Sequence, residues 1–169
     1  DTMINETEDC DTLVDIARLA RHAVEYFAQK PVMAMISYSN FGSNRAQSPR
    51  AVHEAVEVLQ QRYPDLCIDG EMQVNYALNR QIRDKNYPFS RLYGKDVNTL
   101  IFPNLNASSA AYRMMLEMGL CEVIGPIQIG LNKPVHFISV EAKVRDIVNL
   151  AIIATMDAAV SGKAPLADK

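Results

Sequence analysis

An α/β fold with a largely parallel sheet is predicted by three observations. Short unbroken apolar runs, such as Val32–Ile36, have the length and composition of strands buried on both faces. Between them lie longer stretches whose apolar residues recur at helical spacing. The run at Val32–Ile36 stops abruptly in a polar loop, Ser37 to Asn44, with one glycine, Gly42. Strand, polar loop and helix start is the place where open α/β sheets bind ligands, anionic ones in particular.

The elements follow in order. Thr12 to Ala28 carries Leu13, Ile16, Ala17, Ala20, Ala23, Val24 and Phe27 at helical spacing. The strand Val32–Ile36 comes next. Ser48 reads as the N-cap of a second helix, with Pro49 at its first position. Val52, Ala55, Val56 and Leu59 line one face of that helix, which ends near Tyr63–Pro64. Leu66–Ile68 reads as a short strand and Val74 to Ile82 as a helix. Asp84 to Lys95 is polar and holds Pro88 and Gly94, so a loop is expected. Thr99–Phe102 is a further buried strand, stopped by Pro103. Asn104 or Asn106 can cap a helix from Ala107 to Met118. Val123–Ile124 and Val135–Ile138 are expected strands, the first followed by a Gly125–Pro126 turn. A last helix is expected from Val144 to Val160, and a frayed tail from Ser161 to Lys169.

Composition narrows the function. The 169 residues are 49% apolar and 22% charged, ordinary for a globular domain. The net charge of −3 with scattered basic residues gives nucleic-acid binding no electrostatic support. No run of about eighteen apolar residues occurs, so no membrane span is expected, and no signal-peptide pattern is seen. Cys10, Cys67 and Cys121 are far apart and make neither a disulfide framework nor a zinc spacing. Reduced thiols and a cytoplasmic location are the expectation.

Several motifs then stand in one order along the chain: SYSNFGS at Ser37–Ser43, DGEMQ at Asp69–Gln73, FPNLNA at Phe102–Ala107, GPIQIGLNKPVH at Gly125–His136, and DIV at Asp146–Val148. In this order and spacing they resemble the phosphotransacetylase-like domain at the C-terminus of bacterial NADP-dependent malic enzymes. True phosphotransacetylases of that family usually read SFST-x-GS, DGELQ and KPVNDLSRG, where this chain reads SYSNFGS, DGEMQ and KPVHFISVE. The resemblance implies a three-layer α/β/α sandwich related to isocitrate and isopropylmalate dehydrogenases. This chain would supply mainly its second lobe, residues 1–132, and a returning strand and apolar helix, residues 133–169. DTMIN at the start resembles a segment from the middle of the family unit, so a piece of a longer chain is expected, with a first lobe and a malic-enzyme catalytic part upstream.

The same resemblance carries the functional expectations. The parent would decarboxylate malate oxidatively to pyruvate and CO2, using NADP and a divalent metal, Mg or Mn. No cofactor is expected in this stretch. It would bind acetyl-CoA or a related CoA metabolite, regulate the catalytic part and help form a homo-oligomer, most simply a dimer. Family phosphotransacetylases carry a Ser-Arg pair in the last motif and a later Asp, thought to deprotonate the CoA thiol. Ser139 and Asp146 match the Ser and the Asp, but Val140 stands in place of the Arg. Transfer between acetyl phosphate and a thiolate needs cations against developing charge. A binding pocket without turnover is therefore expected, and an active phosphate acetyltransferase is the alternative. The ligand-binding candidates are Ser37, Ser39, Asn40, Gly42, Ser43, Arg45, Asn104, Asn106, Arg113, His136 and Ser139, with no catalytic or metal-binding residue.

Each candidate has a plainer reading. Asp69 and Glu71 could act as paired carboxylates, but a turn carboxylate and a helix-start carboxylate are the simpler assignment. His136 could meet a ligand or satisfy buried backbone. Met114, Met115 and Met118 read as adaptable packing. Ser109 and Arg113 stand where the family has Asn and Lys. Asp146 is also an ordinary first-turn helix carboxylate. Apolar residues around most of the circumference of the last helix argue for a further packing partner.

Overall fold

A computed structural model describes residues 1–6, 9–119 and 122–161. The chain divides into two compact units, Asp1–Tyr112 and Arg113–Lys169.

The first unit is built on a parallel three-stranded sheet in the order β2-β1-β3. β1 (Val32–Ile36) is the centre, β2 (Cys67–Met72) and β3 (Thr99–Ile101) its neighbours. Helix α1 (Cys10–Tyr26) precedes β1 and α2 (Gln47–Arg62) connects β1 to β2, and both cover one face of the sheet. Side chains of a strand alternate between faces. Met33 and Met35 of β1 therefore join Ile68 and Ile101 under Leu13, Val14 and Ala17 of α1 and Val52, Ala55, Val56 and Leu59 of α2. Ala34 and Ile36 face the other way, into a second core with Met72, Leu92 and Ala77 of α3 (Val74–Leu78). Both faces of β1 are thus dry, as its unbroken apolar run requires. Truncating a fully buried residue such as Leu59 to Ala is expected to cost about 2–5 kcal/mol.

Helix ends follow local chemistry. Asp9 caps α1, its Oδ1 accepting from Thr12 N–H at 2.9 Å. The other end closes in a Schellman turn: Gln29 N–H donates to Val24 C=O and Ala28 N–H to Glu25 C=O. Ala28 holds the left-handed position there, at φ 56°. α2 starts earlier than expected. Its N-cap is Ala46, with no side-chain cap, and Ser48 and Pro49 lie inside the first turn. Pro49 is tolerated because first-turn N–H groups have no helical partner anyway.

The expected helix over Val74–Ile82 is two short helices, α3 and α4 (Arg80–Asn86), broken at Asn79. Asn79 Oδ1 accepts from Ile82 N–H and so caps α4 instead of continuing α3. α4 also takes up the first residues of the expected loop. The rest of that loop is fixed by Arg83, which is fully buried. Its guanidinium donates to the carbonyls of Ala77, Leu92 and Lys95.

After β3, α5 (Leu105–Glu117) runs across the division into the second unit. The stretch 122–143 is irregular, and Gly125–Pro126 is a cis peptide. The expected strands Val123–Ile124 and Val135–Ile138 are not formed. A strand exists as part of a hydrogen-bonded ladder, and these residues have no ladder partner among the described ones. α6 (Val144–Ser161) closes the unit. Leu150 and Ile153 are buried, while Ile147, Val148, Ile152 and Met156 are about half exposed. Glu122 and Arg145 pair through two hydrogen bonds, which hold the Glu122 carboxyl below its ordinary pKa. Among the described residues no helix is long and apolar enough to cross a membrane.

Candidate functional site

The carboxyl ends of three parallel strands meet along one edge of the sheet. The loop 37–45 leaves β1 there, Gln73 follows β2, and Asn104 stands just beyond β3. Open parallel sheets bind their ligands at this edge.

The loop is held from beneath by one side chain. Glu71, in β2, is wholly buried. Its Oε1 accepts from Ser39 Oγ at 2.7 Å and from Gly42 N–H at 2.7 Å. Its Oε2 lies 3.0 Å from His53 Nδ1, on α2. The backbone of the two segments is joined as well. Ser37 N–H donates to Met72 C=O and Phe41 N–H to Glu71 C=O. The three side-chain contacts leave neither carboxyl oxygen of Glu71 without a partner, as burial of a polar group demands.

The rest of the loop closes on itself. Ser43 Oγ accepts from Asn40 N–H at 2.9 Å and lies 3.1 Å from Ser39 Oγ. Asn44 N–H donates to Ser39 Oγ. Asn40 Oδ1 accepts from Gln73 N–H, and Gln73 Nε2 returns a bond to Tyr38 C=O. Phe41 and Gly42 both have positive φ, at 47° and 82°. Phe41 is anchored in an aromatic cluster, 4.8 Å from the Tyr87 ring and 5.0 Å from that of Phe89. Burial, together with Tyr76, pushes the Tyr87 hydroxyl above its ordinary pKa.

Gly70, beside Glu71, cannot take a side chain. At φ 150° a Cβ there would stand 2.6 Å from Met35 C=O. Asp69 fixes a different segment: its Oδ2 accepts from Ser90 Oγ at 2.7 Å and Arg91 N–H at 2.8 Å. The expectation of a turn carboxylate and a helix-start carboxylate is therefore corrected. Both residues lie within β2, and each ties a separate loop to the sheet. Their shared spacing gave no hint of the division, because adjacent loops from other parts of the chain decide it.

Five of the proposed ligand residues, Ser37, Ser39, Asn40, Gly42 and Ser43, come together around Glu71. Arg45 is exposed and forms no ion pair among the described residues. Asn104 caps α5, with Oδ1 accepting from Ala107 N–H at 2.9 Å, and Asn106 is exposed in the first turn. Arg113, in the second unit, is exposed on α5. There too, His136 Nδ1 accepts from Gln128 N–H at 3.3 Å. Ser139 Oγ accepts from Glu141 N–H, and Asp146 Oδ2 accepts from Lys143 N–H at the start of α6. Val140, between them, is fully exposed. Glu71, His53 and Gln73 complete the loop's support; the sequence offered Glu71 only as half of a carboxylate pair with Asp69, and gave His53 and Gln73 no part in the site. Among the described residues no group of three or more His, Cys, Asp or Glu is placed to hold a metal.

A parallel sheet with a polar loop at its carboxyl edge defines an α/β protein of the open-sheet class. Residues 1–155 match the family described as phosphate acetyl/butaryl transferase, and the chain belongs to that family. It is 37% identical over 160 residues to the NADP-dependent malic enzyme of Escherichia coli, covering 94% of this chain and 21% of that one. It is 34% identical to a phosphate acetyltransferase of Bacillus subtilis, over 94% of this chain and 49% of the relative. A phosphotransacetylase crystal structure from Streptococcus pyogenes superposes with a TM-score of 0.88 at 34% identity, covering 95% of this chain and 48% of the other. The chain thus spans about a fifth of the malic enzyme and about half of the phosphotransacetylases.

Proposed function

We propose that this chain is a regulatory unit of an NADP-dependent malic enzyme, binding acetyl-CoA or a related CoA metabolite without transferring its acyl group. The observation that carries the reading is Val140. The resemblance puts an Arg at this place in active phosphotransacetylases, and an aliphatic side chain cannot hold phosphate or offset charge on a transferring group. Its two neighbours in the motif are engaged locally. Ser139 accepts a backbone hydrogen bond, and Asp146 serves as the reciprocal arm of the α6 cap.

The ligand's phosphates would lie at the carboxyl edge of the sheet, against loop 37–45 and the capped start of α5. Arg45 and the N-terminal end of α5 supply the positive character there, since the loop's own N–H groups are largely engaged within the protein. NADP and the divalent metal belong to the proposed catalytic part upstream, and no residue described above is assigned to them. Regulation requires that the ligand bind two states of the parent with different affinity. The half-exposed apolar face of α6 fits a twofold dimer contact in the whole protein.

Titrating acetyl-CoA calorimetrically into the whole protein, beside an assay for acetyl phosphate, tests the proposal. Saturable binding without acetyl phosphate formation is expected, with affinity lowered by Arg45→Ala. A second reading, an active phosphate acetyltransferase, is favoured by the close superposition on a phosphotransacetylase. Acetyl phosphate above background, lost in Asp146→Ala, would establish that reading instead.

A further inference from the structure

We propose that Cys67 and Lys95 form an oxidation-dependent covalent pair, in which a peroxide oxidises the Cys67 sulfur and Lys95 Nζ closes on it. This pair lies apart from the ligand loop and does not depend on the function proposed above. Lys95 Nζ stands 3.1 Å from Cys67 Sγ. The approach is built by ordered backbone on both sides. Cys67 is the first residue of β2 and is registered against Val32 of β1. Lys95 donates its N–H to Leu92 C=O, and its own carbonyl accepts from the buried Arg83. The carbonyl of Arg91 completes the corner, accepting from Lys95 Nζ at 3.1 Å. Cys67 is half-buried and Lys95 exposed, so a molecule as small as hydrogen peroxide reaches the sulfur from solvent.

The chemistry balances with one peroxide. The sulfur, reacting as thiolate, attacks one peroxide oxygen. An S–O bond forms, the O–O bond breaks, and the leaving hydroxide takes a proton from the Lys95 ammonium and departs as water. Sulfur loses two electrons and the peroxide gains them. The Lys95 amine, now neutral, attacks the sulfur of the sulfenic acid. The S–N bond forms, the S–O bond breaks, and the hydroxyl leaves as water with a proton from the amine. Sulfenic acids condense with nitrogen in this way when one is held close. The link would fasten the segment after α4 to the edge strand β2. A thiol reductant reverses it, returning the free thiol and amine.

The test is brief exposure of the purified protein to hydrogen peroxide, non-reducing digestion and mass spectrometry. The expected product is a linked pair of peptides carrying Cys67 and Lys95, lighter than their sum by two hydrogens and separated again by dithiothreitol. Lys95→Arg keeps the charge but cannot close the link, so dimedone should trap Cys67 as the sulfenic acid in this variant and much less in the unsubstituted protein. Equal trapping in both, oxidation of Cys67 to sulfinic or sulfonic acid with no linked pair, or no oxidation of Cys67 while Cys10 is oxidised would each overturn the proposal.

Discussion

Ser39 on the loop after β1 donates its hydroxyl hydrogen to Glu71 in β2 at 2.7 Å, across 32 residues of chain. Both residues are buried, so neither can turn to water if the other is lost. Glu71→Ala would leave the Ser39 hydroxyl and the Gly42 N–H without their acceptor. A loss of about 1–3 kcal/mol is expected, the cost of leaving the buried Ser39 hydroxyl unsatisfied, since Gly42 is exposed and its N–H can turn to water. Glu71→Gln keeps an acceptor of the same size and should lose less than half as much. Urea unfolding of both variants measures this. Equal losses would mean that the charge matters and the acceptor does not.

Arg83 offers a sharper contrast. Its two terminal nitrogens serve three carbonyls, and Nε lies 3.4 Å from Asp84 Oδ1. A lysine ammonium is a point donor and cannot span that fork. Arg83→Lys should therefore destabilise by about 2–4 kcal/mol, from carbonyls left unmet in the interior. Thermal unfolding checks it. A variant within a few tenths of a kcal/mol of the parent would show that the carbonyls find other partners.

Ala28 marks a place where the chain can be improved. It occupies the left-handed position of the α1 C-cap at φ 56°. A Cβ there costs roughly 1–2 kcal/mol relative to glycine, which is partly offset by the greater freedom of glycine in the unfolded chain. Ala28→Gly should raise stability by about 0.5–1 kcal/mol. A lower unfolding midpoint for this variant would contradict the Schellman assignment.

Tyr87 sets an alkaline limit. Burial first, and Tyr76 second, raise its pKa above the ordinary tyrosine value. The fold therefore favours the neutral form. That contribution is fully present below the ordinary value of about 10 and is lost as the pH rises through the folded value. Tyrosinate absorbance should develop later for this residue than for exposed tyrosines, and Tyr87→Phe should remove the late component. An unchanged titration curve would place Tyr87 in open solvent.

How much of this was legible in sequence depends on where the determining contacts lie. β1 was read to the residue, because a short apolar run bounded by Pro31 and Ser37 leaves little choice. α1 was read to within two residues, its stripe being local. The Ser48 cap was misplaced because Ala46 takes the extended cap conformation without a capping side chain. The polar loop after β1 was read as one segment, but its organiser was not recognised. Glu71 looks like any carboxylate until the parallel pairing of β1 and β2 sets it under Ser39 and Gly42. The strands expected at 123–124 and 135–138 failed for a related reason, since apolar character supplies a strand's faces and not the neighbour that makes it a strand.

Since both faces of β1 are apolar, polarity cannot fix its alignment. A slip by one residue in an amphipathic strand exposes its core and is punished at once. Here it would only trade one dry face for another. What distinguishes the two faces is size: Met33 and Met35 fill the side toward α1 and α2, Ala34 and Ile36 the side toward α3. Alignment of the central strand, and with it the height at which loop 37–45 emerges, is thus specified by volume. Exchanging a methionine with its alanine neighbour would conserve composition and hydropathy completely, and still leave a void on one side and a clash on the other.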